Sequence, residues 1–193
     1  MMFRRVVALY LLLFTPLVLA DVMDISLNNN AIAFNYGVSG AALIQGNSDF
    51  HIAALYNDSM NTLVDAGLLV KGDGGDSADA TLAVGAKVLA GEIQNYRPGS
   101  VQNVSSIVIG GELSYAFPAV KQLSAALYLF VGPSIATFGD ANRANQFGAH
   151  VDYEVSQGTK VYVEYRNASF GMSSTGQTAV LDSGTYMGVK LSF

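Results

Sequence analysis

The chain has 193 residues, with ten basic and fifteen acidic side chains, two histidines and no cysteine, for a formal net charge of −5. An acidic balance argues against a nucleic-acid partner, which needs a basic face, and the lack of cysteine removes disulfides, thiolate metal sites and cysteine nucleophiles. Charged residues are 13% of the chain, against about 25% in soluble domains, and mean hydropathy is +0.33.

Residues 1–20 read as a separate element. MMFRR is a positive start, VVALYLLLFTPLVLA an apolar run, and Val18-Leu19-Ala20 a cleavage-type end, which together predict a signal peptide removed after Ala20. An uncleaved anchor helix is the competing reading, and Pro16 argues against it. Arg4 and Arg5 leave with this segment, so residues 21–193 form one domain with eight basic and fifteen acidic residues, a net of −7. Past residue 20 no stretch approaches the ~20 apolar residues of a membrane helix.

Alternation with period two dominates instead. It marks strands at 22–28, 31–39, 49–57, 63–71, 79–92, 105–117, 123–136, 145–156, 159–169 and 184–193. Several exceed the ~5–6 residues of a soluble strand and suit the ~9–11 tilted residues that cross a bilayer. VMDISLN and AIAFNYGVS read as a hairpin across Asn29-Asn30. The link GAALIQGNS (40–48) is long for its side and partly apolar, and KGDGGDSA (71–78) is of medium length where a short turn is due, whereas PAVKQ (118–122) and QG (157–158) are short. The links at 93–104, 137–144 and 170–183 are long and polar. Long loops on one side, tight turns on the other and an even strand count are the pattern of an outer-membrane barrel. The fold class expected is all-β: a single transmembrane antiparallel up-and-down barrel of about ten strands, or eight if the N-terminal region does not form a full hairpin.

The two faces of these strands differ in kind. Val161, Val163 and Tyr165 oppose Lys160, Tyr162, Glu164 and Arg166; Phe147, Val151 and Tyr153 oppose Gly148, His150, Asp152 and Glu154. No charge is expected on the apolar face from residue 49 onward. Alternation alone leaves open which face is outside, since a soluble ligand-binding barrel turns its apolar face inward. The polar face decides it, being mostly small (Gly110, Ser114, Ala116, Ala126, Gly132, Gly148, Gly188), which suits a crowded lumen rather than a solvated exterior. Aromatics near strand ends on the apolar face (Phe50, Tyr56, Tyr115, Phe117, Phe147, Tyr153, Phe193) suit interfacial girdles.

The inward charges Lys87, Glu112, His150, Asp152, Glu154, Lys160, Glu164, Arg166 and Lys190 are the main chemical constellation. They form either a salt-bridged polar network filling the lumen or the lining of a narrow pore for ions and small solutes. A barrel of eight to ten strands is filled by side chains, so a wide diffusion pore is not expected. His150 beside Asp152 and Glu154 could serve a Ser–His–acid site, but same-face spacing is no evidence of a triad and no nucleophile motif accompanies it. GDGGDSAD at 72–79 matches no calcium-loop spacing and reads as a solvated turn. No metal, cofactor or catalytic residue is expected.

The ending Tyr186-x-Gly188-x-x-Leu191-x-Phe193 resembles the C-terminal signal of bacterial outer-membrane barrels, which the barrel-assembly machinery reads. With the stretches DFHIAALYNDSMNTLVDAGLLVKGD, YEVSQGTKVYVEYRNASF and YMGVKLSF, the layout resembles the YfaZ family of small outer-membrane proteins. The stretch DISLNNNAIAFNYGVSGAALIQG lacks the glycine-dense strands of that pattern. The resemblance implies a monomeric barrel in the cell outer membrane, with its lipids and the assembly machinery as partners. A structural or interaction role through surface loops, or a narrow pore, is the function expected. A lipid-modifying enzyme and a soluble periplasmic binder are the alternatives.

Overall fold

A computed structural model describes residues 22–39, 47–73, 79–97 and 100–193, so the signal-peptide reading at 1–20 lies outside the described residues. The strands are β1 (Val22–Leu27), β2 (Ala31–Ser39), β3 (Ser48–Asn57), β4 (Thr62–Asp73), β5 (Ala80–Arg97), β6 (Ser100–Ala116), β7 (Leu123–Gly132), β8 (Thr137–Gly139), β9 (Ala141–Ser156), β10 (Thr159–Met172) and β11 (Thr178–Ser192). Each long strand pairs antiparallel with its sequence neighbours, β9 following β7 in the wall, and β1 pairs with β11 to close the ring. The result is an up-and-down barrel of ten strands, with the three-residue β8 added to the upper end of β6. Closure leaves no sheet edge along the shared height of the wall.

The N-terminal hairpin forms as expected. Asn28 Oδ1 accepts the backbone N–H groups of Asn30 and Ala31 at 2.7 and 2.6 Å, an Asx turn that reverses the chain between β1 and β2. At the other rim, which holds Val22 and Ser192 and is called lower here, Gly158 takes φ +76° in the tight turn into β10.

The apolar face points outward. Ile25, Val64, Val88, Leu127, Val151 and Val163 are all exposed on the barrel exterior. On β9 the apolar stretch runs from Phe147 to Val155, and nine residues at a tilt of about 40° span roughly 20–25 Å, the height of a lipid-facing band. Aromatics bound it: the Phe147–Tyr165 pair above (centroids 6.2 Å apart), and Tyr115 edge-on to Phe117 (5.2 Å) with Tyr153 and Phe193 below. One expectation fails. Glu92 is a charge on the outward face of β5, exposed and paired in register with Thr62, where β4 begins. It stands at the upper boundary of the band, where water can reach it.

Above the band polar residues enter the outward face while the inward face becomes largely apolar. The expected long loops at 93–104, 137–144 and 170–183 are mostly strand: β5 and β6 run to within two residues of each other, β9 starts at Ala141, and β10 and β11 extend to Met172 and from Thr178. Conversely, β7 stops at Gly132, because Pro133 and a short 3-10 turn over Ser134–Ala136 end it. The strand extensions carry Asn103, Asn142 and Arg143 outside, and Ile93, Val104, Ala144, Phe170, Met172 and Leu181 inside. These inward residues join Leu55, Leu63, Leu89, Val108 and Phe130 in one apolar cluster across the upper lumen. Phe130 and Phe170 are 1% exposed, and Val108 and Met172 are fully buried.

Candidate functional site in the barrel lumen

Below the apolar cluster polar inward side chains line much of a partly open cavity of about 430 Å³. Inward glycines make room for it. Gly188 faces Tyr162 across β11 and β10, Gly148 faces Tyr128 across β9 and β7, and Gly67 lies between His51 and Lys87. A Cβ at Gly188 would fall 2.3 Å from the Tyr162 ring, and one at Gly148 would fall 2.5 Å from the Tyr128 hydroxyl. The missing side chains let the large rings lie against the opposite strand.

The nine sequence-predicted charges all belong to inward rows, but they divide into groups. Glu164 and Arg166 are the centre: Arg166 Nη2 donates to Glu164 Oε2 at 2.9 Å and to Ser26 Oγ at 2.6 Å, and the guanidinium stacks 3.9 Å from the Tyr186 ring centroid. Tyr128 OH donates to Glu164 Oε1 at 2.9 Å. Lys87 Nζ donates to Gln146 Oε1 at 3.3 Å and lies 4.1 Å from the Phe130 centroid, directly under the apolar cluster. Glu112 lines the same cavity. Asp152 is bracketed by His150 Nδ1 at 2.9 Å and Lys190 Nζ at 3.4 Å. Glu154 and Lys160 stand opposite each other in register nearer the lower rim, outside the cavity lining. Glu164 faces His150 in that register, so Glu154 does not join the Glu164–Arg166 pair.

The C-terminal motif splits the same way. Tyr186 is wholly buried in the lumen and donates to Asp182 Oδ1 at 2.7 Å, Gly188 underlies Tyr162, and Leu191 and Phe193 face outward, Phe193 being 74% exposed.

Further pairings emerge only in three dimensions, among them those of Tyr162, His51 and Asp65, which alternation already places on the inward face. Tyr162 OH donates to Asp24 Oδ1 at 2.5 Å, and His51 Nε2 lies 3.1 Å from Asp65 Oδ1. Lys71 pairs with Asp49 at the lower rim. Asp24 and Ser26 occupy the short β1, whose six residues give a weak alternation signal. The chamber thus has internally paired charges, an apolar ceiling and a polar lower end.

A closed antiparallel barrel with an apolar exterior and a charged, side-chain-filled interior is the fold of outer-membrane β-barrels. The chain belongs to the YfaZ family: the YfaZ precursor family profile matches residues 2–193. No curated protein matches it. Among solved structures it is similar to a chain titled "Bacterial polysaccharide outer membrane secretin", with a TM-score of 0.51 and 11% identity over 89% of this chain and 57% of that one. The chain therefore spans little more than half of that relative's length. A KdgM porin aligns with a TM-score of 0.44 and 11% identity over 89% of this chain and 98% of the porin. A NanC porin aligns with a TM-score of 0.40 and 10% identity over 91% and 98%.

Proposed function

We propose that the protein is an exported outer-membrane β-barrel that is closed at rest and acts as a structural or interaction element of that membrane, not as an open diffusion pore. The observation that carries this reading is the apolar cluster over the charged chamber: Phe130, Phe170, Leu89, Leu181 and Met172 close the upper lumen. Ions do not cross a packed apolar layer, and the charges beneath it are largely satisfied by one another. The exposed apolar band supports a lipid environment, with the lower rim facing the periplasm and β11 as the strand the assembly machinery takes up. A monomer suffices, because the wall closes on itself. The non-enzymatic reading rests on the serine rather than the histidines: among the described residues no hydrogen bond joins His51 or His150, each paired with a carboxylate, to a serine, and Ser26 of the chamber accepts from Arg166 instead.

The test is single-channel recording on the refolded mature chain in a planar bilayer, with insertion established separately. A silent bilayer is the expected result. Steady steps from the unmodified chain would overturn closure and favour the narrow-pore reading, for which the charged chamber supplies the lining. Hydrolysis or acyl transfer on a lipid substrate, lost in His150→Ala, would overturn the non-enzymatic reading.

A further inference from the structure

The barrel wall is not of equal height. β1 to β4 have 6, 9, 10 and 12 residues, whereas their outer neighbours β11 and β5 have 15 and 18. Pairing of β11 with β1 stops at Leu27↔Met187, and pairing of β5 with β4 stops at Thr62↔Glu92. Above those points the two strand edges face each other across a notch, with no ladder between them.

Side chains close this seam. Asn57 Nδ2 and Asn61 Nδ2 both donate to the Leu181 carbonyl of β11, at 2.8 and 2.9 Å. Asn61 Oδ1 accepts the Gln94 N–H of β5 at 2.8 Å, so one asparagine bridges both edges. Higher up, Tyr96 on β5 and Thr175 in the β10–β11 turn share a hydroxyl hydrogen bond at 2.8 Å. The register slip opposite Ala168 and Ser169 is a bulge in β11 that aims both Leu181 and Asp182 inward. Leu181 is therefore both a carbonyl of the latch and a member of the apolar ceiling. A few side-chain hydrogen bonds, each about 0.5–1.5 kcal/mol net, are much weaker than a strand ladder.

We propose that this seam is the gate of the barrel: release of the Asn57/Asn61–Leu181 and Tyr96–Thr175 latch parts β5 from β11, withdraws Leu181 from the ceiling and joins the chamber to the outer surface. The route favours cations. The notch outside the seam, about 800 Å³, is lined by asparagines, serines and a threonine together with Leu27, Val180, Leu181 and Met187, and its ionisable groups are both acidic: Asp58 on the outside and Asp182, turned inward against Tyr186. This inference rests on the closed-barrel reading, and the wild-type recording tests that reading separately.

The experiment compares the wild-type chain, N57A/N61A and N57A/N61A/Y96C/T175C in planar bilayers. The chain lacks cysteine, so the introduced pair is the sole thiol pair for a reducible bifunctional thiosulfonate cross-linker. Expected are a silent wild type, discrete steps in N57A/N61A with at least tenfold greater open probability and a cation-selective reversal potential, loss of the steps on cross-linking and their return on reduction. A folded N57A/N61A that stays silent, steps that persist after cross-linking, or anion selectivity would overturn the proposal. Should N57A/N61A fail to fold, Y96F/T175V is measured by hydrogen exchange. Amides of β11 above Met187 are expected to exchange at least tenfold faster while those at 187–192 hold; no difference would overturn it. Conduction by the unmodified chain would defeat the closed-barrel reading itself.

Discussion

Gly188 shows how much a single absent side chain does in this lumen. A β-branched residue there would drive the Tyr162 ring out of its place and off Asp24, to which its hydroxyl donates at 2.5 Å. Gly188→Val is expected to destabilise the folded barrel by about 1–3 kcal/mol, the range for overpacking, read from denaturant midpoints of the refolded protein. Arg166 and Glu164 form a largely buried ion pair. Arg166→Gln should cost about 3–5 kcal/mol by stranding the carboxylate, whereas E164Q/R166Q should recover much of that loss, a double-mutant-cycle result that separates pairing from packing. These charges were legible in the sequence, because KVYVEYR alternates without interruption. Their partners were not. Ser26 lies 140 residues from Arg166, and Asp24 lies 138 from Tyr162, and no local pattern encodes such a distance.

At the scale of the strand, the same face changes meaning with height. Leu127 lies within the apolar band and Asn145 above it, both on outward positions of neighbouring strands. Leu127→Arg is expected to destabilise the barrel in lipid vesicles by about 2–4 kcal/mol, and Asn145→Arg by no more than about 1 kcal/mol, measured by reversible folding into bilayers. The strand positions followed from alternation, including the first hairpin across Asn29-Asn30. The upper ends did not. NRANQ and QNVSS look like loops because their outward residues are polar, yet Val104 and Ala144 face a packed interior. Polar residues enter the outward row at the height where the inward row packs apolar side chains beside buried Gln102 and Ser106, so a reading that assigns one face to lipid along the whole strand loses the signal. The expectation of a charge-free outward face fails at Glu92, the last residue of the segment 79–92, because it stands at that same height.

For the whole molecule, the proposal of a closed barrel turns on the apolar ceiling over the charged lumen. Phe170→Ala, which empties the centre of that layer, is expected to convert a silent barrel into one with intermittent conductance steps, recorded in planar bilayers beside a heat-modifiability gel that reports folding. The unmodified mature barrel is expected to stay with the membrane fraction through an alkaline carbonate wash and to leave it only in detergent. Retention of Phe170→Ala in the membrane with unchanged silence would place the barrier elsewhere in the lumen.

By itself the sequence determined the architecture and the sidedness of the wall. Period-two alternation, small inward residues and the lack of a long apolar run past the first segment allow few solutions other than a membrane-type barrel, because backbone groups in lipid must be paired and only a closed sheet pairs them all. The tertiary structure alone decided which charges meet, that apolar side chains pack across the upper lumen, and that the wall is uneven. Those properties depend on register between strands far apart in the chain and on a bulge of one residue at Leu181. Neither is carried by the periodicity of any one segment.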